Sequence, residues 1–494
     1  MTGALLIAGT TSDAGKTIVT TALCRAFARR GVRVAPFKAQ NMSNNSMVVG
    51  TGAEIGRAQW IQALAAGVEP EVAMNPVLLK PGGDRRSHVV VMGRPAGEIS
   101  SAEFIGGRTH LAEAAYAAYD DLASRFDLVV CEGAGSPAEI NLRADDYVNM
   151  GLAQHADMPV VVVGDIDRGG VFAAMYGTVA LLDAADQRLM AGFVVNKFRG
   201  DETLLKPGLD RLEQITGRRV HGVLPWSPDV WLDSEDALDL DSRRSSDEGS
   251  LRVAVIRLPR ISNFTDVDAL GIEPGVDVSF VADPRSLADA DLVVLPGTRA
   301  TLADLGWLRA RGLDMAILDH VDVGRPVFGI CGGFQMLGRT ISDPDGVEGV
   351  RGAEAAGLGL LDVTTTFQAD KVLRLHDEGA YEIHHGRVTH EYADEQRGLV
   401  SDGVVSGTMA HGSLEADDVR RSFLAEAAKL TGRTLPSSTA SFAAARAARL
   451  DLLGDLAEEH LDLDALLSLA REGAPDVPLL PPGAEAPHDS SAES

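Results

Sequence analysis

Short, strongly apolar runs of strand length alternate with stretches of helical periodicity, and this alternation restricts the fold more than any other feature of the sequence. The runs include LLIAG, DLVVCE and VVVVGD in the first half, and RVAVIRL, DLVVLPG and PVFGICGG in the second. Apolar strands separated by helices are typical of parallel sheets with crossover helices. We therefore predict an α/β protein with two open, doubly wound domains.

The length and the local composition suggest where these domains begin and end. A chain of 494 residues is too long for one ordinary core. The polar, acidic segment 236–250 is predicted to link a first domain at 1–235 to a second at 251–435. Residues 436–473 are rich in Ala, Leu, Arg and Glu and are predicted to form helices, whereas the proline-rich, polar stretch 474–494 is predicted to be disordered.

The charge of the chain bears on its partners. A net charge of −26 argues against binding to nucleic acid or to an anionic membrane surface. The sequence has no apolar stretch of about 18 residues, and its start lacks the features of a signal peptide. We therefore expect a cytoplasmic protein without membrane insertion, and the sequence leaves a homo-oligomer open.

The segment GTTSDAGKT follows the first apolar run and leads directly into a helical pattern. A strand, a tight loop ending in Gly-Lys-Thr and a helix N-terminus together present backbone N–H groups, a lysine and a hydroxyl to phosphates and magnesium. The spacing departs from GxxxxGK[ST], because Thr10 stands where the first glycine belongs. The residues predicted to contact a nucleotide here are Gly9, Thr10, Asp13, Ala14, Gly15, Lys16 and Thr17.

Carboxylates follow two other apolar runs of the first half. Glu132 ends DLVVCE, and Asp165 and Asp167 follow VVVVG. Because the carboxyl ends of parallel strands share one edge of a sheet, these side chains should face the same crevice as the loop. We predict that Thr17 and one or two of these three carboxylates hold Mg²⁺, with Glu132 and Asp165 as the candidates, while Lys16 contacts the β- and γ-phosphates.

In the second half, PVFGICGGFQML places Cys331 in a Gly-x-Cys-x-Gly turn between a buried strand and a helical pattern. Small flanking residues permit the strained turn of a nucleophile elbow, and a helix N-terminus favours a thiolate. We predict that Cys331 is a nucleophile and that Gly332 and Gly297 supply N–H groups to an oxyanion. Its base should be one of three downstream histidines, and the late position of His411 favours it over His384 and His385.

Several long motifs carry a resemblance to a known family. Besides the loop, these are KAQNMSNNS at 38–46, EIGRAQ at 54–59, NPVLLKP at 75–81, EGAGSPAEINL at 132–142, DIDRGGVFA at 165–173 and GICGGFQMLG. With these motifs the chain resembles the cobyric acid synthases from Ala4 to about Gly473. Its first half resembles the P-loop domain of the dethiobiotin synthetase and cobyrinic acid diamide synthetase group, and its second half resembles class I glutamine amidotransferases.

The resemblance implies an activity and a set of substrates. It implies that ATP and L-glutamine are used to amidate the b, d, e and g carboxylates of adenosylcobyrinic acid a,c-diamide, a corrinoid polycarboxylate, with Mg²⁺ as cofactor. Further roles are implied for Asp146 in the synthetase reaction, for Asn196 in reading the adenine, and for Lys38, Gln40 and Asn41 in contacting the corrinoid or the phosphates.

One departure from the resemblance concerns the glutaminase site. Many class I amidotransferases have His-x-Glu, whereas here Gly412 and Ser413 follow His411, and Glu415 comes two places late. The sequence therefore predicts a Cys–His pair and leaves its third member open.

Two other functions compete with this interpretation. A synthetase of the same build could act on another polycarboxylate, such as cobyrinic acid at its a and c positions. A nucleotide-switch ATPase with a degenerate second domain is a different class, and the intact elbow and histidine argue against it.

Overall fold

The computed structural model describes residues 2–50, 52–82, 86–100, 109–227, 250–376, 379–390 and 398–481. The strands of the first half are β1 (Gly3–Gly9), β2 (Val34–Phe37), β3 (Gln40–Met42), β4 (Ser46–Val49), β5 (Ala53–Gly56), β6 (Val77–Pro81), β7 (Arg86–Val91), β8 (Arg94–Ser100), β9 (Leu128–Glu132), β10 (Val160–Asp165), β11 (Met190–Phe198) and β12 (Arg219–Pro225). Its helices are α1 (Lys16–Arg29), α2 (Arg57–Ala66), α3 (Thr109–Arg125), α4 (Met150–Ala156), α5 (Val171–Ala180), α6 (Ala184–Leu189) and α7 (Glu202–Thr216).

The first domain is built on a parallel sheet in the order β12-β11-β10-β1-β9-β2. The valines of β10 and, in β1, Leu5, Leu6, Ile7 and Ala8 are fully buried, as expected for strands covered on both faces. Strand β1 lies between β10 and β9, so the ends of these three strands meet at one edge. A ligand crevice is expected at such an edge.

The second half contains the strands β13 (Leu251–Ile256), β14 (Val276–Val281), β15 (Leu292–Leu295), β16 (Val327–Ile330), β17 (Thr340–Asp343), β18 (Ala353–Ala356), β19 (Val363–Leu375), β20 (Tyr381–His390), β21 (Leu399–Asp402) and β22 (Val405–Thr408). Its helices are α8 (Thr301–Ala310), α9 (Leu313–Asp322), α10 (Gly332–Leu337), α11 (Asp417–Thr431), α12 (Phe442–His460) and α13 (Leu463–Glu472). Strands β14-β13-β15-β16-β22 are parallel and β21 is antiparallel at the edge. The predicted fold class, with α/β architecture in both halves, is confirmed.

Smaller sheets that were not predicted from the sequence lie where the two domains meet. In the first domain these are the sheet β3-β6-β7-β8 and the hairpin β4-β5, and in the second domain the sheet β18-β17-β19-β20. The hairpin strand β4 packs against β19 and β20. These sheets therefore bring the two domains into direct contact.

Helices α12 and α13 return to the first domain. Leu453 of α12 and Leu466 of α13 join a buried cluster with Leu5 and Phe27. Arg25 of α1 also forms an ion pair with Asp451 at 2.6 Å. The helices that follow the second domain in sequence therefore complete the core of the first.

The predicted disorder from Ala474 is wrong for the residues that follow α13 up to 481. The backbone N–H of Leu480 donates to Gln187 at 2.7 Å, and the Gln187 amide donates back to the Leu480 carbonyl at 2.8 Å. Paired backbone groups and the burial of Leu480 order this stretch despite its prolines. Residues 236–249 of the predicted linker and 482–494 of the predicted tail lie outside the described residues.

Over the described part of the chain, no helix combines the length and the apolar character needed to cross a bilayer.

Candidate active sites

The loop between β1 and α1 depends on a glycine held against an asparagine. Gly15 has φ of 91°, and a Cβ at this position would lie 2.0 Å from Nδ2 of Asn196. The Asn196 amide donates to the Ala14 carbonyl at 3.0 Å. Asn196, which was predicted to read the adenine, thus supports the loop itself from the end of β11.

The Lys16 ammonium points into the loop. It donates to the carbonyls of Thr11 at 2.9 Å, Ser12 at 3.0 Å and Gly135 at 3.1 Å. Phosphate oxygens are stronger acceptors for an ammonium than these neutral carbonyls are. The lysine therefore lies where phosphates would meet the helix N-terminus.

Glu132 is the centre of a buried polar cluster beside the loop. Its carboxylate accepts hydrogen bonds from Thr17 Oγ1 at 2.8 Å, Lys38 Nζ at 2.9 Å and Gln62 Nε2 at 2.6 Å. Burial opposes its ionisation, but the Lys38 ammonium and these hydrogen bonds hold the pKa of Glu132 below its ordinary value. The structure thus joins Thr17, Glu132 and Lys38 in one cluster, and Mg²⁺ binding by Thr17 and Glu132 stays a prediction.

Asp165 has a different set of partners. Its carboxylate forms an ion pair with Lys197 at 2.9 Å, and Lys197 also donates to the Asp13 carbonyl. The Asp13 carboxylate in turn pairs with Arg168 at 2.8 Å. In this geometry Asp165 supports the far side of the loop, and its role as a metal ligand stays a prediction.

The remaining residues predicted in the first domain are engaged in internal hydrogen bonds. Asp146 accepts from the backbone N–H groups of Val148 and Asn149 at 2.9 and 2.8 Å and from Met150 at 2.7 Å, where α4 begins. Gln40 accepts from the Tyr147 hydroxyl at 2.5 Å. The Asn41 amide donates to Gln59 at 3.1 Å. Asp146 thus anchors α4, and contacts of these side chains with a substrate stay predictions.

Cys331 occupies a strained turn between β16 and α10. Its φ of 50° and ψ of −109° are uncommon for a residue with a side chain. Glycines flank it because a Cβ at 329 would lie 2.6 Å from the Phe334 backbone, and one at 333 would lie 2.0 Å from the Leu295 carbonyl oxygen. This is the geometry of a nucleophile elbow.

His411 faces Cys331 and is held by an aspartate. Its Nδ1 donates to Asp266 at 2.7 Å, and the Gly412 N–H donates to the same carboxylate at 2.9 Å. Burial lowers the pKa of His411, but Asp266 and Cys331 outweigh burial and raise it to about 10. An imidazolium beside the sulfur stabilises a thiolate electrostatically.

The other histidine candidates have different partners. His384 pairs with Glu382 at 2.8 Å, and His385 contacts the Gln368 carbonyl at 3.1 Å. The structure therefore selects His411 as the partner of Cys331.

Asp266, the third member of the triad, was missed from the sequence. It lies in a short 3-10 helix, Phe264–Val267, between β13 and β14. The His-x-Glu pattern points downstream of the histidine, so no local spacing singles out an upstream aspartate. Glu415 lies elsewhere, paired with Arg57 and Arg446 at 2.9 Å each.

The predicted oxyanion glycines border the triad. A Cβ at Gly297 would lie 2.9 Å from Cε1 of His411, and one at Gly332 would lie 3.1 Å from the backbone nitrogen of Thr298. Both positions are next to Cys331, and their role as donors stays a prediction.

A pocket opens beside Cys331 at the junction of the two domains. The second domain contributes Arg299, Glu348 and Lys371 to its lining, and the first contributes Lys80 and Asn44. The pocket therefore combines a nucleophile with groups of both charges and borders the first domain.

Comparisons with known proteins match a different family to each half of the chain. Residues 5–239 match the CobQ/CobB/MinD/ParA nucleotide binding domain, and residues 252–419 match the CobB/CobQ-like glutamine amidotransferase domain. Among solved structures, a glutamine amidotransferase overlaps 36% of this chain and 98% of its own length at 19% identity, with a TM-score of 0.27, too low to bear on function.

Curated relatives match over nearly the whole length. A cobyric acid synthase of Mycobacterium marinum (strain ATCC BAA-535 / M) is 68% identical over 97% of this chain and 99% of its own. One of Mycolicibacterium gilvum (strain PYR-GCK) is 68% identical over 98% of this chain and 100% of its own. With these matches and both sites in place, the chain belongs to the cobyric acid synthase family.

Proposed function

We propose that this chain uses ATP and glutamine to amidate the b, d, e and g carboxylates of adenosylcobyrinic acid a,c-diamide, giving adenosylcobyric acid in cobalamin biosynthesis, and that it does so in the cytoplasm. The observation that carries the proposal is the combination, in one chain, of a phosphate loop and a complete Cys331–His411–Asp266 triad. Relatives that match almost the whole chain bear the name of this activity.

The triad fits glutamine hydrolysis. The Cys331 thiolate would attack the side-chain amide carbon, and the His411 imidazolium would give its proton to the departing ammonia. The neutral imidazole would then take a proton from the water that hydrolyses the thioester to glutamate. Asp266 keeps the proton on Nδ1, so that Nε2 is the atom that exchanges protons with substrate.

The pocket beside Cys331 fits the amino-acid end of glutamine. Among the described residues, no partner lies within hydrogen-bonding distance of the Arg299 side chain, so this guanidinium is suited to an α-carboxylate. Burial raises the pKa of Glu348, and an α-ammonium group beside it would favour the ionised form.

The first domain fits activation of a carboxylate. The acid's oxygen would attack the γ-phosphorus of ATP, forming an acyl phosphate and ADP. Ammonia would then attack the acyl carbon, expelling phosphate and losing a proton to leave the amide. Lys16 would hold the phosphates during the transfer.

The hydroxyl of Thr17 and the carboxylate of Glu132, 2.8 Å apart, are oxygen donors of the kind that Mg²⁺ prefers. These residues would hold the ion, which would neutralise charge on the phosphates.

Mass spectrometry tests the proposal directly. The protein would be incubated with ATP, Mg²⁺, glutamine and adenosylcobyrinic acid a,c-diamide, and the corrinoid mass followed as each OH is replaced by NH₂. Stepwise conversion of all the predicted carboxylates is expected. Conversion of free cobyrinic acid alone would identify the a,c-diamide synthetase instead, and glutamine hydrolysis without any corrinoid product would show that the substrate is wrong.

A further inference from the structure

Glu415 joins the second domain to the first immediately after the triad histidine. Its two carboxylate oxygens pair with different arginines, Oε1 with Arg57 and Oε2 with Arg446, at 2.9 Å in both cases. Arg57 begins α2, and Arg446 lies on α12, which packs against the first domain. The side chain of Arg57 is only 2% exposed, so this contact is largely shielded from solvent and from salt. We call Arg57, Glu415 and Arg446 the clasp.

The clasp is connected to His411 through a short turn that is held by hydrogen bonds. The Glu415 N–H donates to the Gly412 carbonyl at 3.0 Å, and the Gly412 N–H donates to Asp266 at 2.9 Å. His411 also exchanges two backbone hydrogen bonds with Tyr381, whose ring stacks on the imidazole with centroids 5.4 Å apart. A displacement of Glu415 would therefore displace the turn that orients the His411 imidazole.

The same helix that carries Arg57 also contacts the nucleotide site. Gln62 lies on α2 five positions later, and its amide donates to Glu132 at 2.6 Å. Five residues of α-helix span about 7.5 Å, so α2 is a short, rigid connection between the two sites.

A second contact from the first domain holds the Asp266 segment. The Ser46 N–H donates to the Asn263 side chain at 2.9 Å, and the Asp266 N–H donates to the Asn263 carbonyl at 3.0 Å. Asn263 has φ of 49°, a conformation that needs support from its surroundings. The imidazole of His411 and the carboxylate that bonds to it, Asp266, are thus both placed with help from the first domain.

From these contacts we propose that Glu415 is a positioning residue: through Arg57 and Arg446 it fixes the His411 turn, so that glutamine hydrolysis depends on the clasp between the domains. The inference rests on the proposed glutaminase function of Cys331 and His411. Glu415 stands two places late for a triad carboxylate. In this proposal it affects the reaction indirectly, by holding the turn that contains His411.

A double-mutant cycle on the full chain tests the inference. Arg57→Gln, Glu415→Gln and the double variant would be compared for glutamine hydrolysis and, separately, for amidation with ammonium as the nitrogen source. Each single variant is expected to lower the kcat of glutamine hydrolysis about tenfold with a smaller effect on KM, and the double variant to be no worse than the singles. Ammonium-dependent amidation should fall less than glutamine hydrolysis, because the variants change side chains at the domain junction and leave Gln62, Thr17 and Lys16 in place.

Two further variants keep the test decisive. Arg339→Gln removes an exposed ion pair with Asp362 in the same domain, and should leave glutamine hydrolysis unchanged. Glu415→Asp keeps the negative charge and should recover part of the lost rate of glutamine hydrolysis. This variant also tests the inference if Arg57→Gln and Glu415→Gln fold poorly. Unchanged glutamine hydrolysis in the Arg57 and Glu415 variants, or an equal loss of ammonium-dependent amidation, would overturn the inference. Failure of the wild-type chain to hydrolyse glutamine would instead overturn the proposed function.

Discussion

Asp266 holds Nδ1 of His411 at 2.7 Å although 145 positions separate the two residues in the chain. The bond fixes the imidazole so that its other nitrogen faces Cys331. We therefore predict that Asp266→Asn lowers the kcat of glutamine hydrolysis by about a hundredfold, because an amide favours the wrong tautomer and does not stabilise an imidazolium. Steady-state glutaminase assays check this, with Asp362→Asn, an exposed aspartate of the same domain, as control. Equal rates in the wild type and Asp266→Asn would contradict the triad.

The pH dependence follows from the same pair. Because the pKa of His411 is raised to about 10, kcat/KM for glutamine should fall as the pH rises through that value and the proton needed by the departing ammonia is lost. Removing the Asp266 charge should move this fall to lower pH.

The stability that the His411–Asp266 pair contributes should also fall as the pH rises, since the folded-state pKa of His411 lies above the ordinary value of 6.5. The contribution of the pair is complete below pH 6.5 and is lost as the pH rises through about 10. The stability difference between wild type and Asp266→Asn, measured by urea unfolding, should shrink over this window. A constant difference would contradict it.

Cys331→Ser should abolish glutamine-dependent amidation and preserve amidation with ammonium, since the nucleophile serves only the release of ammonia. Product formation with each nitrogen source checks the prediction. Cys24→Ser is not a suitable control, because that thiol is fully buried in the first domain and a hydroxyl there would disturb the core. The wild type with each nitrogen source therefore serves as the reference. Retained glutamine-dependent activity would remove Cys331 from the mechanism.

Arg299→Met should raise the KM for glutamine by about tenfold or more with a smaller change in kcat, because it removes a charge that would contact the α-carboxylate and not the reacting amide. Arg351→Met, at an exposed position of the same domain, is the control. A change in kcat alone would place Arg299 in another role.

Gly15→Ala should weaken ATP binding by about tenfold or more, since a side chain at φ of 91° is strained and would collide with Asn196. Calorimetric titration with ATP measures the loss. Adding Asn196→Ala should recover little, because the backbone strain remains. Gly50→Ala is the matched control, as its added Cβ would meet nothing within 4 Å. Normal ATP binding by Gly15→Ala would refute the prediction.

Leu466→Ala should destabilise the first domain by about 2–5 kcal/mol although Leu466 follows the second domain in sequence. The side chain is fully buried in the cluster that contains Leu5 and Phe27. Leu204→Ala, at a side chain that is 81% exposed, should change the stability by less than about 0.5 kcal/mol. Urea unfolding followed by tryptophan fluorescence distinguishes them, and equal midpoints would contradict the assignment of α13 to the first core.

The sequence by itself determined the features that are local along the chain. The apolar runs predicted β1, β9, β10, β13, β15 and β16, because a strand buried on both faces needs an unbroken apolar stretch. The loop before Lys16 and the elbow at Cys331 were likewise predicted, since each is a contiguous segment whose glycines are required by its own backbone. The resemblance of the motifs to a family added the activity.

Only the tertiary structure decided which distant residues meet. Asp266 reaches His411, α12 and α13 return to α1, and Glu415 turns to Arg57 instead of completing the triad. The reason is physical: periodicity and local spacing record how a segment packs, whereas a hydrogen bond or an ion pair between distant residues depends on where the whole fold places them.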